Sequence, residues 1–128
     1  MDNIFIDTNI LIDFSKGYDS ILSTLRERQL KGKVELYINP IVIAEFFCDL
    51  QLNDPKKYSQ AEAFIQFFNF LPITKEIGVL TAELLRNKTV QYMADALIAS
   101  TCLVHSLTLC TRNKKHFREV KNLQFEKI

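Results

Sequence analysis

The sequence predicts an α/β domain in which strands alternate with helices around a mostly parallel sheet. Three observations predict it. Short apolar or alternating runs, such as Asn3-Ile4-Phe5-Ile6-Asp7 and Val34-Glu35-Leu36-Tyr37-Ile38, recur along the chain. Longer segments with apolar residues at helical spacing lie between them. Helix-start signals, Asn39-Pro40 and Asp54-Pro55 among them, separate the two kinds of segment. The 128 residues suit a single domain, 1–128. A chain this long buries about two-thirds of its unfolded surface and needs no disulfide or structural metal to fold.

The elements follow in order. Asn3–Asp7 is a short strand that opens directly into a first helix, Thr8–Phe14. Ile21, Leu22 and Leu25 share a helix face within 19–30. Val34–Ile38 alternates and is a strand. Asn39 is an N-cap with Pro40 at the first helical position, so a helix is expected from Pro40 to about Leu52. Asp54-Pro55 repeats the device and starts a helix to about Phe70. Leu71-Pro72-Ile73 is read as a short strand, and Thr74 caps a helix to about Asn87. Gln91–His105 is an apolar helix, Leu107–Thr111 a buried strand, and Gln124–Ile128 a last strand after a short helical turn.

Composition excludes several classes. An apolar content of 48% and a charged content of 24% are those of an ordinary soluble globular protein. No apolar run approaches the roughly 20 residues that span a bilayer, and the acidic start Met1-Asp2-Asn3 argues against a secretory signal. Gly17, Gly32 and Gly78 are far apart, which removes the P-loop and the dinucleotide fingerprint, both built on clustered glycines. Cys48, Cys102 and Cys110 are widely spaced within apolar runs, so neither a zinc site nor a disulfide framework is indicated. Buried reduced thiols are expected, which fits a cytoplasmic protein.

Net charge is +1, but its distribution is uneven. Residues 1–20 carry Asp2, Asp7, Asp13 and Asp19 against Lys16. Residues 111–128 carry Arg112, Lys114, Lys115, Arg118, Lys121 and Lys127 against Glu119 and Glu126. An acidic start and a basic end suit a cation site beside a phosphate-attracting surface; solvated surface charge is the plainer reading.

Three carboxylates are the informative feature. Asp7 interrupts Ile4-Phe5-Ile6 and Ile10-Leu11-Ile12, Glu45 lies between Ile41-Val42-Ile43-Ala44 and Phe46-Phe47-Cys48, and Asp95 lies between Met93-Ala94 and Ala96-Leu97-Ile98-Ala99. Each is a lone acid in a segment that otherwise reads as core. An unpaired buried carboxylate costs several kcal/mol, and three would consume much of a stability of about 5–15 kcal/mol. The cost is tolerable if all three face one crevice and share a cation. Asp7 ends the first strand, and open parallel sheets bind ligands beyond their carboxyl edge at a switch point. Carboxylates without His or Cys select hard cations, Mg²⁺ or Mn²⁺, which suit phosphodiester hydrolysis. Each acid also has a purely structural reading: Asp7 as a helix cap, Glu45 as half of an ion pair, Asp95 as a complement to the helix dipole.

At these residues the chain resembles the PIN-domain family, and within it the VapC-type toxins of toxin–antitoxin pairs. The matching pieces are Ile6-Asp7-Thr8-Asn9-Ile10-Leu11-Ile12-Asp13, Ala44-Glu45, Ala94-Asp95-Ala96-Leu97-Ile98-Ala99 and Leu107-Thr108-Leu109-Cys110-Thr111-Arg112-Asn113-Lys114-Lys115-His116-Phe117. The resemblance implies a three-layer α/β/α fold with a five-stranded parallel sheet in the order 3-2-1-4-5. It implies Mg²⁺- or Mn²⁺-dependent endoribonuclease activity with Asp7, Glu45 and Asp95 as the catalytic metal ligands. It also implies RNA as substrate, a homodimer, and a cognate antitoxin that inserts a peptide near the acids. The family often has a fourth acid where this chain has Asn113, an uncharged residue read either as part of the catalytic set or as a turn cap.

Secondary candidates surround this set. Thr8 and Asn9 either orient the first acid or cap the first helix, and Thr111 reads as a strand-end residue. Arg112, Lys114, Lys115 and Arg118 could hold RNA phosphates, with His116 as a weaker member of that group and His105 as a helix end. Phe64, Ile65, Phe67 and Phe68 read as core; any exposed part would be a dimer or antitoxin surface. Two other functions stay open: a PIN-like module that binds without catalysis, and a phosphatase using Asp7 as nucleophile. The latter pattern wants a second Asp where Asn9 stands.

Overall fold

The computed structural model describes residues 2–18 and 21–128. Five strands, β1 (Asp2–Ile6), β2 (Val34–Ile38), β3 (Asn69–Phe70), β4 (Thr108–Cys110) and β5 (Gln124–Phe125), form one sheet in the order β3-β2-β1-β4-β5. Every pairing is parallel, with Ile4 opposite Leu36 on one side and Thr108 on the other. Ile4, Phe5 and Ile6 of the central β1 are all fully buried, as a strand covered on both faces requires. Between the strands run α1 (Thr8–Ser15), α2 (Ile21–Leu30), α3 (Pro40–Phe46), α4 (Pro55–Ile65), α5 (Lys75–Arg86) and α6 (Met93–His105). The strands step outward from β1 to β3, and the chain then crosses back to β4. Right-handed crossovers therefore put α1–α4 on one face and α5–α6 on the other.

The caps act as the sequence predicts. The Asn39 side chain accepts from Val42 N at 3.2 Å, and Thr74 Oγ1 accepts from Ile77 N at 3.3 Å. Asp54 accepts from Lys56 N at 3.1 Å. The expected start of α2 at Asp19 lies outside the described residues.

Several boundaries differ from expectation: α6 starts at Met93 rather than Gln91, and β5 stops at Phe125 rather than Ile128. α3 stops at Phe46 rather than Leu52. Asp49 then accepts from Gln51 N at 2.9 Å and starts a separate 3-10 turn, Leu50–Asn53, because a short acidic side chain competes for backbone donors. α4 stops at Ile65 rather than Phe70, where Phe67 N and Phe68 N turn back to the carbonyls of Phe64 and Ile65. The third strand is Asn69–Phe70 rather than Leu71-Pro72-Ile73. Leu71 N still reaches Ile38 O at 2.9 Å, but Pro72 has no N–H to continue the ladder. The cysteine expectation holds for Cys102 and Cys110 and fails for Cys48, which is exposed.

Phe68 and Ile65 join the core as expected, while Phe64 and Phe67 are half-buried. The Arg26 guanidinium lies 4.0 Å from the Phe67 ring centroid and 5.4 Å from that of Phe14, sealing this edge with a cation–π contact. Among the described residues no helix is long and apolar enough to cross a membrane.

Candidate active site

Strand order reverses at β1, so the gap between the carboxyl ends of β1 and β4 is the switch point of the sheet. Asp7 follows β1 there, with its backbone N bonded to Cys110 O at 3.0 Å. It is only 5% exposed, yet its carboxylate is well supplied with donors. Thr8 N donates to Oδ1 at 2.7 Å, Thr111 Oγ1 to Oδ2 at 2.7 Å, and Asn9 Nδ2 to Oδ2 at 3.2 Å. Asp7 therefore caps α1 and faces the site at once; the two readings are not exclusive. Burial pushes its carboxyl above the ordinary value of 3.8, against the pull of the Thr111 and Thr8 hydrogen bonds. The negative charges of Asp95 and Glu45 push the same way.

Asp95 lies in the first turn of α6 and is half-buried. Burial raises its carboxyl too, and His116 opposes that rise through charge and a hydrogen bond, Nδ1 to Oδ2 at 3.1 Å. Glu45 differs from both. It stands on the second turn of α3 with its side chain exposed, against the expectation of a buried acid. Helical geometry is the reason: Val42 and Phe46, four residues apart, take the buried face and turn Ala44 and Glu45 outward. Thr8 Oγ1 donates to Glu45 Oε1 at 2.7 Å and draws the carboxylate over the site. Fully buried Asn39 fixes α3 against α6, capping the one helix while its Nδ2 donates to Thr101 Oγ1 on the other at 3.0 Å.

The structure thus brings Asp7, Glu45, Asp95 and Asn113 to one cavity of about 450 Å³, completed by Thr8, Asn9, Ile12 and Cys48. The Asn113 side chain makes no cap hydrogen bond to the turn it precedes, so the turn-cap reading falls. Among the described residues no three His, Cys, Asp or Glu side chains stand close enough to grip one ion directly.

Two residues were read too modestly. Thr111 is fully buried and supports Asp7 rather than merely ending a strand. His116 contacts Asp95 rather than standing among the basic residues. For both, the only signal in the sequence was position, since partners 104 and 21 residues away are set by the fold. The basic candidates divide. Arg112, Lys114 and Lys115 line a shallow surface depression beside the site, and Arg118 is exposed outside it. Arg112 is also tied to Asp13, its Nη2 donating to Oδ1 at 3.2 Å. His105 ends α6, as expected.

Acids gathered at the switch point of a 3-2-1-4-5 parallel sheet define a class of α/β domain with an acid-lined cavity at its carboxyl edge. The chain belongs to the PIN domain family, whose match spans residues 4–123. It is similar to Ribonuclease VapC1 of Rickettsia felis, 28% identical over 130 residues, with 94% of this chain and 92% of the relative covered. It is also similar to Ribonuclease VapC1 of Methanocaldococcus jannaschii, 29% identical over 122 residues, with 92% and 81% covered. Among solved structures it resembles VapBC2 from Rickettsia felis bound to a DNA fragment from their promoter, with a TM-score of 0.75, 26% identity and 97% of each chain covered.

Proposed function

We propose that the chain is a divalent-metal-dependent endoribonuclease that acts as the toxin of a toxin–antitoxin pair. The observation that carries this reading is the convergence of Asp7, Glu45 and Asp95 on one cavity at the switch point. The similarity to relatives named as VapC ribonucleases supports the choice of RNA.

The donor set fits a hard cation. It is built of carboxylate oxygens, with the Asn113 amide alongside, and the burial that chiefly raises the Asp7 carboxyl, together with the lesser repulsion from Asp95 and Glu45, is what a cation would offset. A three-ligand grip is not required, because Mg²⁺ keeps several waters and binds through one or two carboxylates. Asp7, Asp95 and Glu45 would hold Mg²⁺ or Mn²⁺ between them, in part through bound water, and the ion would polarise the phosphate and activate water. Asp7, fixed by three donors, sets the geometry. Glu45 can accept a proton or a water from the open side. Asn113 offers only a neutral amide at the fourth position, which favours one tightly held ion over two. Lys114, Lys115 and Arg118, with Arg112 partly neutralised by Asp13, would guide the RNA backbone toward the acids.

The partners follow from the same reading: an antitoxin and a second copy of the chain. A groove of about 790 Å³ adjoins the acids and shares Ile12, Glu45 and Cys48 with their cavity. Phe46, Leu52 and half-buried Phe64 line it, which suits an apolar peptide segment of the antitoxin. An Asp7 nucleophile, as in a phosphatase, is disfavoured because Asn9 stands where that chemistry wants a second Asp, and the Asn9 amide donates to Asp7 Oδ2 instead.

The test is cleavage of a cellular RNA pool by protein freed of any partner, with Mg²⁺ or Mn²⁺ added. Cleavage that stops in Asp7→Ala is the expected result. No cleavage with either metal would sink the reading, and failure to bind millimolar Mn²⁺ would favour a non-catalytic module.

A further inference from the structure

The turn after β4 carries a feature that the set of acids leaves unused. Residues Lys114–Phe117 form a 3-10 turn anchored by the fully buried Phe117. His116 N donates to Asn113 O at 2.9 Å, and Val120 N to Phe117 O at 3.0 Å. The Tyr92 ring, at the N-cap of α6, lies 6.0 Å from the His116 ring at an interplanar angle of 54°. The imidazole is therefore held from two sides, with Nδ1 directed at Asp95 Oδ2. His116 does not line the acid cavity, whereas Asp95 does.

We propose that His116 is a positioning residue for Asp95: its Nδ1–H fixes the plane of the Asp95 carboxylate so that Oδ1 faces the cavity. The inference rests on the metal-dependent reading above. A carboxylate near the end of its side chain turns easily about χ2, since that torsion has broad, two-fold wells. One hydrogen bond to Oδ2 removes this freedom and presents a single oxygen to the site. Hydrogen bonds to ligating carboxylates act in this way in metal sites generally, and their loss costs affinity although the ligand remains. The same bond requires a proton on Nδ1.

Three variants of the full chain test this, His116→Ala, His116→Asn and His116→Gln, with Mn²⁺ binding measured without RNA and cleavage measured separately. The Asn side-chain NH₂ occupies the Nδ1 position, whereas that of Gln reaches beyond it. His116→Ala is expected to weaken Mn²⁺ binding by about 10- to 100-fold. His116→Asn should recover most of that loss, and His116→Gln, which keeps bulk and fold, should not. Unchanged Mn²⁺ affinity in His116→Ala would overturn the proposal, as would equal losses in the Ala and Asn variants. A defect confined to KM for RNA would also overturn it, showing direct contact with RNA instead. Wild-type protein that binds Mn²⁺ but cuts no RNA would remove the nuclease reading alone, and the Mn²⁺ titrations would still decide the role of His116.

Discussion

Asp7 and Glu45 reach the same cavity with opposite kinds of support. Asp7 sits at the end of a buried central strand, sealed from solvent and held by donors from Thr8, Asn9 and Thr111. Glu45 projects from the outer face of a short helix, exposed, and is drawn in by the Thr8 hydroxyl. The first arrangement carries a desolvation cost and gains a fixed geometry; the second costs little and leaves the side chain in contact with water. Thr8 joins them, its backbone N–H serving one acid and its hydroxyl the other.

If the contrast is right, substitution at Asp7 has the largest effect on activity and the opposite effect on stability. Asp7→Asn keeps a competent helix cap and a similar shape but removes the charge. Loss of a metal ligand worth several kcal/mol would lower cleavage on the order of 10³-fold. The same change should raise the Tm of the metal-free protein at pH 7. The sign follows from the raised Asp7 carboxyl: the folded state holds its proton more tightly than the unfolded state. Asp7 therefore destabilises the wild type progressively as pH climbs above the ordinary value of 3.8, and below that value its contribution no longer varies with pH. Thermal melts of both proteins across pH in the presence of a chelator measure this. A Tm gap that stays constant from acid to neutral pH would break the comparison, because Asp7 would then not be a strained acid.

Thr111→Val comes next. It removes the 2.7 Å bond to Asp7 Oδ2, and with it the acceptor for Asn113 N at 3.0 Å and for Asn9 Nδ2 at 3.3 Å, while keeping the volume of a buried side chain. Mn²⁺ affinity and cleavage should each fall by about 10- to 100-fold, with Thr111→Ser restoring most of the loss. Full activity in Thr111→Val would show that the backbone N–H of Thr8 and the Asn9 amide suffice to hold the carboxylate.

The contrast also marks how far the sequence could be read. Flanking apolar runs reveal an acid at the end of a central strand, because β1 is buried on both faces and Asp7, directly after it, has no outward side to use. The same reasoning fails on α3. A helix has an outward face, and Ile41, Ile43 and Phe47 are only half-buried, so an apolar run there does not imply that Glu45 is enclosed. The sheet order and the meeting of Asp7, Glu45 and Asp95 were expected from the family resemblance, and the structure has both. The supports of the acids were not legible. Thr111 and His116 act on carboxylates distant in sequence, and neither residue type carries a local pattern that names its partner. A polar side chain at Asp49 and a proline at Pro72 redirected the backbone and moved the ends of α3 and β3 by a few residues.

The smallest expected effect belongs to Thr8→Val. The backbone N–H that bonds Asp7 Oδ1 survives the substitution, so the buried acid keeps all three donors. Only the hydroxyl bond to Glu45 Oε1 is lost. Because Glu45 is exposed, water replaces that donor, and the net loss should be no more than about 1 kcal/mol, which is less than tenfold in cleavage. Mn²⁺ affinity should change by even less, since the geometry of Asp7 is untouched. Steady-state cleavage by Thr8→Val beside Thr111→Val decides the matter. A Thr8→Val defect as deep as that of Thr111→Val would mean that Glu45 must be held as rigidly as Asp7, and its exposure would then reflect an open cavity waiting for substrate rather than a loosely tethered acid.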